Sequence, residues 1–194
     1  MGSCTSSQSS NFPKLSLFKH SQFSFDQIDT NHHIEDYEVD ILRQSFQVII
    51  NKNRDGIALT MLAAITQRVE GANESYTVCK KDACGNSWES LGLGIILLSG
   101  IERLLNRIHK VNRLSATVEH FIQIHSSKYQ VCSTMMADAL KVSRDVIVEE
   151  FHQYNPSTFN QVSVGDLQQI WLRFFALIIK LFLQSKVRMK MMKE

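Results

Sequence analysis

The stretch that decides the fold is VEHFIQIHSSKYQV, residues 118–131. Its apolar residues recur with the period of an α-helix, and His125 stands one helical turn after Phe121. On such a helix the backbone carbonyl of Phe121 can accept a hydrogen bond from one ring nitrogen of His125, which would fix the tautomer of the ring. Spacing alone leaves His125 with the plain interpretation of a half-exposed helical histidine.

Composition favours one helical domain with a tail. The chain has 194 residues, of which 44% are hydrophobic, with 2 prolines and 8 glycines. This is enough apolar material for a core, and too little proline and glycine for a β-sandwich or a disordered chain. Four cysteines are too few for a disulfide scaffold, and a formal net charge of +2 gives no argument for binding nucleic acid. Composition therefore predicts an all-α fold and leaves the activity open.

Helical periodicity extends along the chain on both sides of this segment. Apolar stripes predict helices over 42–50, 57–69, 88–109, 116–125, 136–151 and 163–182. The polar stretch 51–56 predicts a break after the first helix, and 70–73 predicts a break after the second. The apolar runs 91–101 and 170–183 are shorter than the ~20 residues of a membrane span, and cations interrupt the second. We therefore predict no transmembrane helix.

The amino terminus, Met-Gly-Ser-Cys-Thr-Ser, matches the pattern for N-myristoylation of Gly2 after removal of the first methionine. A single myristoyl chain binds membranes only marginally, so an S-palmitoyl group on Cys4 would supply a second anchor. Residues 1–33 lack a helical period and are expected to form a disordered, lipid-anchored tail. This predicts a location at the cytoplasmic face of the plasma membrane, although a Met-Gly-Ser start also occurs by chance.

The pattern of histidine and helices resembles the globin family. Residues 118–131 are similar to the proximal segment of a globin, and 42–49 are similar to the first helix, with Phe46 where the family usually carries tryptophan. The apolar rhythm of 97–105 resembles the distal helix, and 136–151 with the last helix resembles the two long closing helices. Among globins, the divergent nematode proteins are the nearest likeness. The resemblance implies a globin-like three-on-three helical sandwich.

The same resemblance implies the domain organisation and a haem site. The globin domain would span 34–186, between the tail 1–33 and a basic tail at 187–194. Haem b would bind through His125 as the proximal iron ligand, the usual ligand in this fold. Lys128 would reach towards a haem propionate, and Phe121 and Val131 would pack against the imidazole ring. The residues expected to contact haem are Tyr76, Leu93, Leu97, Phe121, Lys128, Val131 and Met136.

The chain departs from the family pattern on the distal side. Leu93 falls where a distal histidine or glutamine is usual, and no histidine occurs between His33 and His109. A bis-histidine haem that uses the distal helix is therefore excluded, and we expect an apolar distal pocket that retains oxygen poorly and admits small diatomics. No phenylalanine occurs between Phe46 and Phe121, so Tyr76 is the best substitute for the phenylalanine that normally wedges the haem.

Two cysteines, Cys79 and Cys84, share the connection before the distal helix. Their spacing is not that of a CxxC motif, and two thiolates cannot complete a tetrahedral zinc site. Two readings stay open for this pair. They are either two reduced loop cysteines or, by likeness to globins with a pair in this corner, a reversible disulfide that would pull on the loop beside the haem.

These expectations combine into a membrane-anchored haem globin that acts in redox or gas sensing, signalling or electron transfer rather than oxygen storage. Its expected partners are O2, NO and CO, a membrane bound through the acyl chains, an electron-transfer partner, and a second copy of the chain as a homodimer; nucleic acid is not expected. We expect no conventional turnover enzyme. The alternative is a globin fold without haem that works as a membrane-tethered interaction module, and a lipid-binding helical bundle is a third reading.

Overall fold

A computed structural model describes residues 34–75, 88–129, 131–153 and 162–191. This part of the chain is helical and contains no strand, which confirms the predicted all-α class. The helices are α1 (Asp36–Arg68), α2 (Trp88–Leu105), α3 (Val111–Tyr129), α4 (Ser133–Glu150) and α5 (Val164–Met191), and a 3₁₀ turn, Phe151–Gln153, follows α4.

Helix α1 is long because the polar stretch at 51–56 bends it without ending it. Asn53 has non-helical dihedral angles, φ −154° and ψ 54°, and its Oδ1 accepts a hydrogen bond from the backbone N–H of Gly56 at 3.2 Å. That bond caps the second half of α1 in the way an N-cap side chain does. The predicted break is therefore a kink within one helix. The predicted stop at 70–73 is confirmed, since α1 ends at Arg68 and Gly71 has a φ of +75°.

Two close contacts fix how the helices pack. A methyl group on Gly94 of α2 would overlap the backbone carbonyl of Ala58 in α1, so the two helices cross with their backbones almost touching. The buried carboxylate of Glu38, near the start of α1, pairs with the guanidinium of Arg173 in α5. These contacts attach α2 and α5 to the two halves of α1.

The core is centred on Trp171 of α5. Its indole ring packs against aromatic rings from three parts of the chain, with ring centroids 5.7–6.1 Å apart: Phe46, Phe151, Phe174 and Phe175. The indole N–H donates to the Ser45 hydroxyl at 2.9 Å, and that hydroxyl donates to the Leu42 carbonyl at 3.1 Å. The polar atom of this buried tryptophan is therefore satisfied inside the core.

Several helix ends differ from the prediction. Helix α2 ends at Leu105 rather than near His109, and α4 begins at Ser133 rather than at Met136. Helix α3 begins at Val111 rather than near Ala116, and α5 continues to Met191, so the first residues of the predicted basic tail at 187–194 belong to a helix. None of the helices in the described ranges combines the length and the hydropathy that crossing a bilayer requires.

Candidate functional site

The candidate site lies along a hairpin formed by α2 and α3. The short turn 106–110 joins the two helices and is held by backbone hydrogen bonds, among them Asn106 N–H to Glu102 O at 2.9 Å and Lys110 N–H to Arg107 O at 3.0 Å. Next to the turn, Leu104 and Leu114 are buried. Further along, Leu98 and Ile122 are also buried, whereas Leu93 and Leu97 on α2 and Phe121 and His125 on α3 are half-buried. The end of the hairpin away from the turn therefore carries partly accessible side chains, and we call it the open end.

One contact fixes which residues of the hairpin face each other. A Cβ on Gly100 of α2 would lie 4.0 Å from Cε2 of the Phe121 ring in α3. Because the helices run in opposite directions from the turn, we infer from helical geometry that Leu97 and His125, one further turn along each helix, lie opposite each other. Leu93 follows one turn beyond Leu97 on the same face of α2. The α2 side of the hairpin is therefore apolar and uncharged where it faces the histidine.

The ring of His125 has the orientation that the sequence predicted. Its Nδ1–H donates to the backbone carbonyl oxygen of Phe121 at 2.7 Å, which confirms the predicted hydrogen bond. A carbonyl can only accept, so Nδ1 carries the proton, and the lone pair of the neutral ring is on Nε2. The Phe121 ring meets the imidazole edge-on, with centroids 6.3 Å apart and an angle of 77° between the ring planes. The histidine is thus in the tautomer that a metal-bound imidazole requires.

Val131 returns towards His125 after α3 ends. Its backbone N–H donates to the carbonyl oxygen of His125 at 3.1 Å, a bond that spans six residues and closes the carboxyl end of the helix. Val131 is half-buried, as is Met136 in the first turns of α4. The structure therefore brings Phe121, His125 and Val131 together, and it leaves Met136 partly accessible on the next helix.

The remaining predicted site residues lie outside the described part of the chain. They are Gly2 and Cys4 at the amino terminus, and Tyr76, Cys79 and Cys84 in the connection between α1 and α2. The backbone of Lys128 belongs to α3, whereas its side chain is outside the description. The predicted roles of these six residues stay predictions, as do the haem contacts predicted for the described residues.

Sequence reasoning missed two glycines of α2 that shape the site. Gly94 permits the close crossing with Ala58, and Gly100 marks where α2 meets the ring of Phe121, although a Cβ at Gly100 would make only an ordinary contact with that ring at 4.0 Å. A signal was present, because glycine within a helix costs roughly 1 kcal/mol relative to alanine, and α2 contains three glycines. Such a helix is expected to have close neighbours that compensate for the cost.

Any metal chemistry at this site would depend on a single side chain, that of His125. In the described ranges no three histidine, cysteine, aspartate or glutamate side chains cluster as a site for a bare metal ion. A haem iron needs fewer protein ligands than a bare metal ion, since the porphyrin supplies four nitrogen ligands and the protein need add only an axial one. No protein-family model and no curated protein matches this chain.

Proposed function

We propose that the chain is a membrane-anchored, haem-binding globin that acts in gas or redox sensing, signalling or electron transfer. The observation that carries this proposal is the 2.7 Å hydrogen bond from His125 Nδ1–H to the Phe121 carbonyl. That bond fixes the tautomer with the lone pair on Nε2, and it limits rotation of the ring.

The apolar character of the residues proposed to contact the porphyrin supports a haem site. A porphyrin is a broad apolar disc, so it requires apolar side chains that are accessible before it binds and covered afterwards. Four half-buried residues have this character: Leu93 and Leu97 on α2, Val131 after α3, and Met136 on α4. His125 would hold the iron, these residues with Phe121 would contact the ring, and Lys128 and Tyr76 are proposed to complete the site. When bound, haem supplies reversible binding of O2, NO and CO and a one-electron change at iron.

The side chains of α2 on the side of His125 make a role in oxygen storage unfavourable. Storage requires slow release of O2, and hydrogen-bond donors on the distal side are what slow that release. Leu97 faces His125 and Leu93 follows it, and neither side chain can donate a hydrogen bond. Met61 and Leu62, the candidates on α1, have no donor either. A site of this kind suits brief encounters with a diatomic ligand, or electron exchange, better than storage.

The proposed membrane anchor rests on the amino-terminal sequence. Acyl groups on Gly2 and Cys4 would hold the domain at the cytoplasmic face of the plasma membrane through the 33 residues that precede Ile34. Replacement of Gly2 by alanine removes the glycine that N-myristoylation requires. In salt high enough to screen surface charges, the G2A protein is expected to leave the membrane fraction, and a variant that remains there would defeat the anchor.

A second candidate function is a globin fold without haem that binds another protein. The half-buried leucines of α2 support it, because an exposed apolar face can bind a partner as well as a porphyrin. The two functions differ in one simple property: the first predicts a coloured protein and the second a colourless one.

The experiment that tests the proposal is a visible spectrum of the purified chain after expression with ample haem precursor. We expect a Soret band in the wild-type protein and its loss in His125→Ala. His120→Ala is the matched control, because His120 is an exposed histidine on the same helix, and it should leave the band unchanged. A colourless wild type, or a Soret band that survives in His125→Ala, would overturn the proposal.

A further inference from the structure

The turn between α2 and α3 is strongly basic. Four exposed cations occur within eleven residues and define what we call the basic turn: Arg103, Arg107, Lys110 and Arg113. The sequence contains no aspartate or glutamate from 103 to 118. Buried Ile108 holds the middle of the turn against the core, which keeps the flanking cations in place at the surface.

The nearest carboxylates belong to the side of the turn that faces α1, and each has a local partner. Glu102 accepts a hydrogen bond from Gln47 of α1 at 3.3 Å, and Asp36 lies 3.2 Å from the His109 ring. Glu35 takes part in the capping box at the start of α1. Arg103 is on the opposite side of α2 from Gly94, the residue that touches α1, because nine residues amount to two and a half helical turns. The charged groups on the outward side of the turn are therefore the cations.

The amino-terminal tail joins the domain beside this turn. Ile34 is buried at the start of the described chain, and the Asp36–His109 contact connects the first turn of α1 to residues 106–110. The preceding 33 residues contain no acidic side chain before Asp26, and they include Lys14 and Lys19. An acyl anchor on this tail would keep the domain near the lipid surface, and the cations of the turn would then favour one orientation of the domain.

We propose that the basic turn is the face that the domain presents to anionic lipid headgroups. The inference rests on the proposed function only for the acyl chains, since cations at the surface of an anionic leaflet contribute about fivefold each to binding, whether or not a lipid anchor is present. Basic residues that act together with a single acyl chain also convert marginal attachment into stable attachment.

This placement would orient the candidate haem site. His125 lies fifteen residues beyond Lys110 along the same chain, which at 1.5 Å per helical residue is about 20 Å from the basic turn. The open end of the hairpin, with Leu93 and His125, would then point away from the lipid. A soluble electron-transfer partner or a dissolved gas would reach the site from the cytosolic side.

The test measures how the full chain partitions onto lipid vesicles, using the Gly2→Ala background so that acylation makes no contribution. Vesicles of phosphatidylcholine are compared with vesicles that also contain phosphatidylserine. We expect the parent chain to prefer the anionic vesicles, and Arg107→Gln with Lys110→Gln to lower that binding by roughly 10- to 30-fold. Binding to the neutral vesicles should not change.

The matched control is Arg54→Gln with Arg68→Gln, which removes the same charge from two exposed positions on the second half of α1. We expect less than about a threefold loss, since these positions are far from the turn and salt screens charges beyond ~10 Å. Equal losses in both double variants, or no preference of the parent for anionic vesicles, would overturn the inference. Haem content and acylation are measured separately by visible spectroscopy and mass spectrometry, so a failure of the proposed function is recognised independently.

Discussion

Gly94 lies directly against the backbone carbonyl of Ala58, and this contact sets the rotation of α2 about its own axis. With Gly94 facing α1, helical geometry turns the stripe of Leu93, Leu97 and Gly100 towards α3. The apolar surface opposite His125 is therefore a consequence of a crossing that only a glycine permits.

Replacement of Gly94 by alanine is expected to destabilise the fold by about 1–3 kcal/mol, because the new methyl group would overlap the Ala58 carbonyl and force the helices apart. The free energy of unfolding in urea measures the effect. Gly92→Ala is the matched control, since nothing lies within 4 Å of a Cβ at Gly92, and it should stabilise the protein by about 0.5–1 kcal/mol. Equal effects at the two glycines would contradict the close crossing.

Much of the helical order, and the orientation of His125, could be predicted because both depend on local spacing. The Phe121–His125 hydrogen bond joins residues four apart, so a helix alone is enough to produce it. The stripe of Leu42, Phe46 and Ile49 likewise predicted the face of α1 that is buried.

Other features could not be predicted, because they depend on how distant parts of the chain meet. The polar stretch 51–56 has the composition of a loop, yet the side chain of Asn53 caps a new helical segment immediately, so the chain bends without leaving the helix. The early start of α3 was missed because Val111 and Leu114 are its only strongly apolar residues before Val118. The facing of Leu97 and His125 follows from the Gly100–Phe121 contact, which periodicity does not reveal.

Ser45→Ala is expected to cost about 1–3 kcal/mol of folding free energy, because the N–H of buried Trp171 would lose its acceptor. Trp171→Phe in the Ser45→Ala background removes the orphaned donor, so the double variant should cost less than the sum of the single changes. Urea denaturation of the four proteins measures the coupling. Additive costs would show that the 2.9 Å contact contributes nothing to stability.

The stability of the fold should depend on pH through Glu150 at the end of α4. Burial raises the pKa of Glu150; Lys52 opposes this shift and Glu149 adds to it. An acid whose pKa is raised on folding binds more protons in the folded state, so its contribution to stability falls as the pH rises from the ordinary glutamate range through the folded pKa. The ionised carboxylate is therefore unfavourable at neutral pH.

Glu150→Gln is accordingly expected to raise the urea midpoint at neutral pH, with the gain fading below about pH 4, where the carboxyl is protonated in both states. Lys52→Gln should act in the opposite direction at neutral pH, because it removes the charge that favours ionised Glu150. A gain for Glu150→Gln that is the same at both pH values would exclude titration of this residue as the cause.

In the haem-loaded chain, Leu97→Gln is expected to slow the release of O2 about tenfold, because an amide N–H opposite His125 adds a hydrogen bond worth about 1.4 kcal/mol. Release of CO, which accepts hydrogen bonds weakly, should change much less. Stopped-flow spectroscopy measures both rates. Ile96→Gln is the control, since Ile96 is 62% exposed on the outer side of α2. An equal effect at the two positions would place the ligand elsewhere.

The central claim is that Nε2 of His125 would bind the iron of a haem, and the resonance Raman spectrum of the ferrous haem-loaded chain tests it most directly. We predict an iron–histidine stretching band in the wild type, its loss in His125→Gly, and its return when imidazole is added, with a shift when the added imidazole is deuterated. An iron–histidine band that persists in His125→Gly without added imidazole would contradict the account, since another histidine would then hold the iron.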